Sequence, residues 1–210
     1  MSTGANKPRA AQRAARELIL RSAELAWRFD WTDGRLSSRA FANRLSGLRF
    51  PLSRVQEVAL VFSAAVDRVA EPLTRVTEFV VKGVRIAGVG RATFELQAAA
   101  PRLTVLVHVE LDGPTRRKWI EVTNRGKGEL LLLDAELDDF TSDATTSGGG
   151  AGQPGFLEDE VFAAIEHPAG ENAGERGRVR LKHFPGVRLL AGATWRSHTA
   201  LVSVAAAGAA

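Results

Sequence analysis

The chain has 210 residues, 45% of them hydrophobic and 25% charged, and no cysteine. That is enough chain to bury about 70% of its unfolded surface, and it excludes wholesale disorder, disulfide frameworks, thiolate chemistry and cysteine-ligated metal clusters. The net charge of +4 and the pI of 10.1 trace to the leader, because residues 1–16 carry Lys7, Arg9, Arg13 and Arg16 with no acid and the rest of the chain sums to zero.

A neutral body is a poor phosphate-binding surface, so no specific nucleic-acid partner is expected. No apolar run approaches the roughly 18–20 residues of a membrane-spanning helix, and no membrane partner is expected. The apolar run at 18–20 is too short for the core of a signal peptide and no cleavage site follows it, so a cytoplasmic location is the expectation.

In chain order, Ala10, Ala11, Ala14 and Ala15 favour a helix, and the segment 10–27 stays ambiguous until Trp27 and Phe29 enter a strand. Apolar runs at 24–31 and 35–41 flank Thr32, Asp33 and Gly34, a hairpin signal. Further strands are expected near 57–62, 76–81 and 91–98. In residues 103–111, Leu103, Val105, Val107, Val109 and Leu111 alternate with Thr104, His108 and Glu110, which predicts a half-buried strand. After the turn at Asp112, Gly113 and Pro114, residues 116–123 put Ile120 and Val122 on one face and Arg117, Trp119, Glu121 and Thr123 on the other. Asn124, Arg125 and Gly126 turn the chain again, and 129–137 is expected to run back as the third strand of a meander. Residues 141–155, rich in Thr, Ser and Gly, read as a mobile loop. Residues 157–166 suit a short helix or a strand. Arg178, Arg180 and Lys182 alternate with Val179, Leu181 and His183, a solvated face on one strand, and 195–204 makes another. Turn signals at intervals of roughly 8–12 residues predict an all-β sandwich or barrel.

Each motif has a plain structural reading beside a chemical one. The glycines at 148–150 and 152 lack the Lys-Ser/Thr of a phosphate loop and read as a flexible connection. Asp134, Asp138, Asp139 and Asp143 could suit a hard cation, but their spacing matches no EF-hand; Asp134 and Asp138 share a parity that Asp139 does not, and an acidic strand end is the favoured reading. His108, His167, His183 and His198 lack the spacing of a zinc-binding helix, and no metal or other cofactor is expected. His167 stands apart, because the turn at 165–172 gathers Glu166, His167 and Asn172. Arg117, Trp119 and Glu121 on one strand face could hold a sugar, whose C–H face stacks on an aromatic ring while its hydroxyls meet polar neighbours. The alternative is packing of Trp119 with Arg117 and Glu121 as cross-strand ion-pair partners.

Read in order, LAWRFDWTDGRLSSRAFANRLSG, HVELDGPTRRKWIEVTNRGKGELLLLDAELDDF, GGGAGQP, IEHPAGEN and HFPGVRLLAG resemble the N-terminal β-supersandwich domain of α-galactosidase (melibiase)-like glycoside hydrolases, a topology shared with galactose-mutarotase-like domains. The resemblance covers residues 24–204. It implies a large antiparallel two-sheet β-supersandwich over 17–205, preceded by a disordered or partly helical basic leader (1–16) and followed by a disordered tail (206–210). It also implies a carbohydrate context and, as partner, a TIM-barrel catalytic domain if one is encoded downstream. The family's catalytic aspartates belong to that barrel, so no residue here inherits them. The chain is expected to be a non-catalytic accessory domain or a fragment, with Arg117, Trp119, Glu121, Glu166, His167, Asn172 and His183 as candidate carbohydrate-binding residues. Two alternatives stay open: an aldose-epimerase-type enzyme using Glu166 with His167 or His183, of which His183 is the geometrically preferable partner because adjacent strand residues point to opposite faces, and a purely structural or interaction module.

Overall fold

The computed structural model describes residues 16–207. The leader expected over 1–16 therefore lies outside the described residues except for Arg16, as do 208–210 of the expected tail. Every regular element described is a β-strand: β1 (Glu17–Arg21), β2 (Leu25–Asp30), β3 (Ser37–Asn43), β4 (Arg49–Pro51), β5 (Ser53–Gln56), β6 (Ala59–Phe62), β7 (Thr74–Val76), β8 (Val80–Ile86), β9 (Arg91–Ala98), β10 (Leu103–Asp112), β11 (Thr115–Asn124), β12 (Leu130–Thr141), β13 (Thr146–Ala151), β14 (Gly155–Leu157), β15 (Val161–Ile165), β16 (Glu171–Glu175), β17 (Arg178–His183), β18 (Val187–Leu189), β19 (Thr194–Arg196) and β20 (Ala200–Val204). Strands β1 to β4 form one antiparallel sheet in chain order. The rest follow a single hydrogen-bonded path, β7-β6-β12-β17-β16-β13-β14-β15-β20-β11-β10-β9-β8, with β5 and β18 on β12 and β19 on β11.

The path doubles back at β13, which pairs with β16 through Gly149 to Ala151 and with β14 through Thr146 to Gly148. Strands β11 and β12 thus belong to facing halves and meet through interior side chains rather than backbone bonds. The result is an all-β sandwich with one continuous apolar core. Its core rows follow period-2 alternation: on β10 the five residues Leu103, Val105, Val107, Val109 and Leu111 are buried and the intervening ones are not. Burying these five side chains alone contributes on the order of 10 kcal/mol of apolar transfer. The hairpin expected at Thr32 to Gly34 joins β2 to β3, with Gly34 at φ +87°. Strand β9 has the expected bounds, and the undecided segment 157–166 resolves as strand, with Leu157 ending β14, a turn at 158–160 and then β15.

Four expectations fail, each for a non-local reason. The meander ends at β11, whose free edge is taken by β19 and β20, while β12 crosses to the facing half. Asn124, buried, makes the exit: its Oδ1 accepts the Gly126 N–H and its Nδ2 donates to the carbonyls of Gly128 and Leu189. The segment 141–155 is not a loop, because β13 runs through it. Its glycines permit a backbone approach that a side chain would block: a Cβ on Gly149, at φ +92°, would sit 2.6 Å from the Asn172 carbonyl oxygen. The strand expected at 76–81 is two, β7 and β8. That at 195–204 is also two, since the register on β11 moves by one residue between β19 and β20 and leaves a bulge around His198.

Candidate functional site

The least expected feature lies inside. On β11, Arg116 and Lys118 share the inward parity of Ile120 and Val122, and both are fully buried. Lys118 Nζ donates to Glu57 Oε2 at 2.5 Å, to the Glu57 carbonyl at 2.9 Å and to Asp138 Oδ1 at 3.1 Å. Arg116 makes a two-pronged contact to the Asp138 carboxylate, and its guanidinium lies 4.0 Å from the centre of the Trp27 ring. Trp27 donates to Ser38 Oγ, and the Ser38 N–H donates to Glu57 Oε1, closing the network. Burial would raise the Glu57 carboxyl, but Lys118, Ser38 and Arg116 together bring it below its ordinary value. Two cations and two anions balance, which is what allows them inside. The outward residues of this strand drew the sequence reading; the i, i+2 pair Arg116 and Lys118 beside Ile120 and Val122 was the signal for the inner ones, but their acids lie on other strands.

Asp138 reaches this network because β12 shifts register between Glu136 and Asp138. The bulge overturns the shared parity expected of Asp134 and Asp138: Asp138 turns inward, while Asp139 keeps the outward parity, buried under Arg178, which it binds through both its oxygens. Asp134 and Glu136 meet Lys182 at 3.6 Å and Arg75 at 2.8 Å, and burial nevertheless raises both carboxyls. The basic face of β17 is accordingly an ion-pair lattice with β12 and Glu171 of β16 rather than a simply solvated surface. Among the described residues no three His, Asp or Glu side chains are arranged to hold a metal ion.

The outward face of β11 carries Arg117, Trp119 and Glu121. His108 of β10 stacks on Trp119 with ring centres 5.0 Å apart and 8° between planes, and the Arg196 guanidinium lies 5.1 Å from the indole centre. Since β10 and β19 flank β11 on opposite sides, the indole is covered on both. Glu121 approaches His108 Nε2 at 3.5 Å and lies opposite Arg196 in register. Burial lowers the His108 pKa, aided by Arg196 and Arg85 and opposed by Glu121. Beside this stack a groove of about 530 Å³ is lined by Trp119, His108, Thr93, Arg91, Glu110 and Ile86, among others.

The second expected group divides. Glu166 is exposed and reaches Arg117 at 3.4 Å, which joins the turn after β15 to the outer face of β11. Asn172 is buried and structural in its bonding: Oδ1 accepts the Ile165 N–H and Nδ2 donates to the Gln153 carbonyl, both at 2.9 Å. His183 is only 3% exposed and packs against Trp195, with ring centres 5.4 Å apart. His198, not among the candidate residues, packs on His167 with ring centres 4.2 Å apart and the planes tilted by 32°, and it meets His183 edge-on at 5.2 Å. Glu166 and His183, the preferred pair of the epimerase reading, do not share an open site: one is engaged by Arg117 and the other is enclosed.

No protein-family model matches the chain, and no curated protein matches it. Solved structures do. The GH36 α-galactosidase AgaA of Geobacillus stearothermophilus, in complex with raffinose, is similar over 90% of this chain with TM-score 0.59 at 8% identity. The galactosidase domain of the α-galactosidase-sucrose kinase AgaSK is similar over 91% with TM-score 0.60 at 11% identity. The α-galactosidase AgaB of G. stearothermophilus is similar over 93% with TM-score 0.57 at 9% identity. The chain spans about two fifths of the length of these proteins, 40–41% of each. No helix among the described residues is long and apolar enough to cross a membrane. The fold of the chain is that of a β-sandwich domain of the kind found in GH36 α-galactosidases.

Proposed function

We propose that the chain is the accessory sandwich of a carbohydrate-active assembly, standing beside a catalytic barrel and offering carbohydrate the outer face of β9, β10, β11 and β19. The fold likeness over nine tenths of the chain is the observation that carries this reading. The barrel would supply the paired carboxylates of glycoside hydrolysis, and this chain would bind and orient. A sugar entering the groove beside His108 meets the edge of Trp119 and the apolar Ile86, with Arg91, Glu110 and Thr93 as hydrogen-bonding neighbours. Arg117, Glu121, Glu166 and His167 extend the polar rim along the same surface. Asn172 and His183 act behind it, holding the 166–172 turn in place.

The test is titration of the chain against a panel of galactosides and other glycans by calorimetry. Saturable binding that weakens at least tenfold in Trp119→Ala and in Arg91→Ala supports the reading. Absence of binding to every glycan, or binding indifferent to both substitutions, removes the carbohydrate role of this face.

A further inference from the structure

Three of the four histidines, dispersed at positions 167, 183 and 198, converge from three segments: the turn after β15, the end of β17 and the bulge between β19 and β20. The turn is fastened through His167 and its neighbours. The lone pair of His167 Nδ1 accepts the Ala169 N–H at 3.1 Å, and the His167 carbonyl accepts the Gly170 N–H at 2.9 Å. The Glu166 N–H donates to the Thr199 carbonyl of the bulge, and the Gly170 carbonyl accepts the Gly152 N–H, both at 2.8 Å. This arrangement requires an unprotonated His167 Nδ1.

His183 Nε2 is buried and has no hydrogen-bond partner among the described residues. The residue opposite it on β12 is Ala135, and Trp195 covers its ring. A charge on His198 or His167 disfavours a proton on His183, and a charge on His167 disfavours one on His198, in each case adding to the effect of burial. The nearby acids are engaged elsewhere: Glu166 by Arg117, and Glu171 and Asp134 by Lys182.

We propose that the three imidazoles form an acid-sensitive latch, which holds the 166–170 turn on the β19–β20 bulge while the rings are neutral and releases it when they take up protons. Opening frees His183 and His198 to bind protons at their ordinary affinity, which burial and the neighbouring rings lower in the packed cluster, and a proton on His167 Nδ1 would displace the Ala169 N–H that it accepts, so mild acid favours the open turn. Two imidazolium rings with centres 4.2 Å apart would also repel. This inference does not depend on carbohydrate binding.

Amide hydrogen exchange of the full chain, corrected for the intrinsic effect of pH, tests it. Between pH 7 and pH 5 the protection of the Glu166, Gly170 and Gly152 amides should fall on the order of tenfold, while the amides of β10 keep theirs. In His198→Gln, whose ring is exposed, and separately in His167→Gln, the fall should be lost or greatly reduced. An equal fall in both variants, no fall in the unaltered chain, or a fall shared by β10 would each overturn the latch.

Discussion

Replacing Asp138 by asparagine tests whether the interior charges form a balanced unit. Asp138 accepts from Arg116 through both oxygens and from Lys118 at 3.1 Å, and it is 3% exposed. Without its charge the interior holds two cations and one anion. Lys118 keeps Glu57 at 2.5 Å, so Arg116 is the orphan, left with the face of Trp27, and its Nε already has no partner. Removing one member of a buried pair costs about 3–5 kcal/mol. At about 2–4 °C per kcal/mol for a domain of this size, that is a fall in Tm of roughly 6–20 °C. Urea denaturation reads the loss as a lower midpoint at unchanged m. The control is Glu17→Gln, which breaks an exposed pair with Arg28 at 2.8 Å and should lose under about 1 kcal/mol. If Asp138→Asn lies within 1 kcal/mol of that control, the interior charges are not what the geometry says they are. A second arm fixes the cause: Arg116→Met combined with Asp138→Leu should recover most of the loss, because a neutral interior needs no partner.

Two further outcomes follow from the same geometry. His183 is held at about 4, below the ordinary 6.5, by burial and by His198 and His167. Above pH 6.5 both states are neutral and the shift has no effect; as pH falls toward 4 the unfolded chain takes the proton first, so about 3 kcal/mol of stability is lost across that window. Urea midpoints at pH 7.5 and pH 4.5 should show this loss in the unaltered chain and much less of it in His183→Leu. Gly149→Ala should lose about 2 kcal/mol or more, since its Cβ would meet the Asn172 carbonyl at 2.6 Å with φ at +92°. The same change at Gly128, with open space around it and no positive φ, should stay within about 0.5 kcal/mol.

The all-β class, the hairpin at Asp33 and Gly34, and the half-buried strand of Leu103 to Leu111 are legible in the order of residues alone. Those are local properties: alternation reports which side of a strand is apolar, and turn residues report where the chain reverses. The run Leu130 to Leu133 shows the limit, since an uninterrupted apolar segment marks a strand without saying which sheet receives it. It takes the assembled fold to show that β12 faces β11 instead of pairing with it, that three glycines make a strand at a close backbone approach, and that His167, His183 and His198 meet. The same holds for the interior placement of Arg116 and Lys118. Their alternation with Arg117 and Trp119 reads equally well in either direction, and the choice rests on Glu57 and Asp138, which neutralise them across the sandwich. Burial of a charge is settled by its partner, and the partner is supplied by the fold.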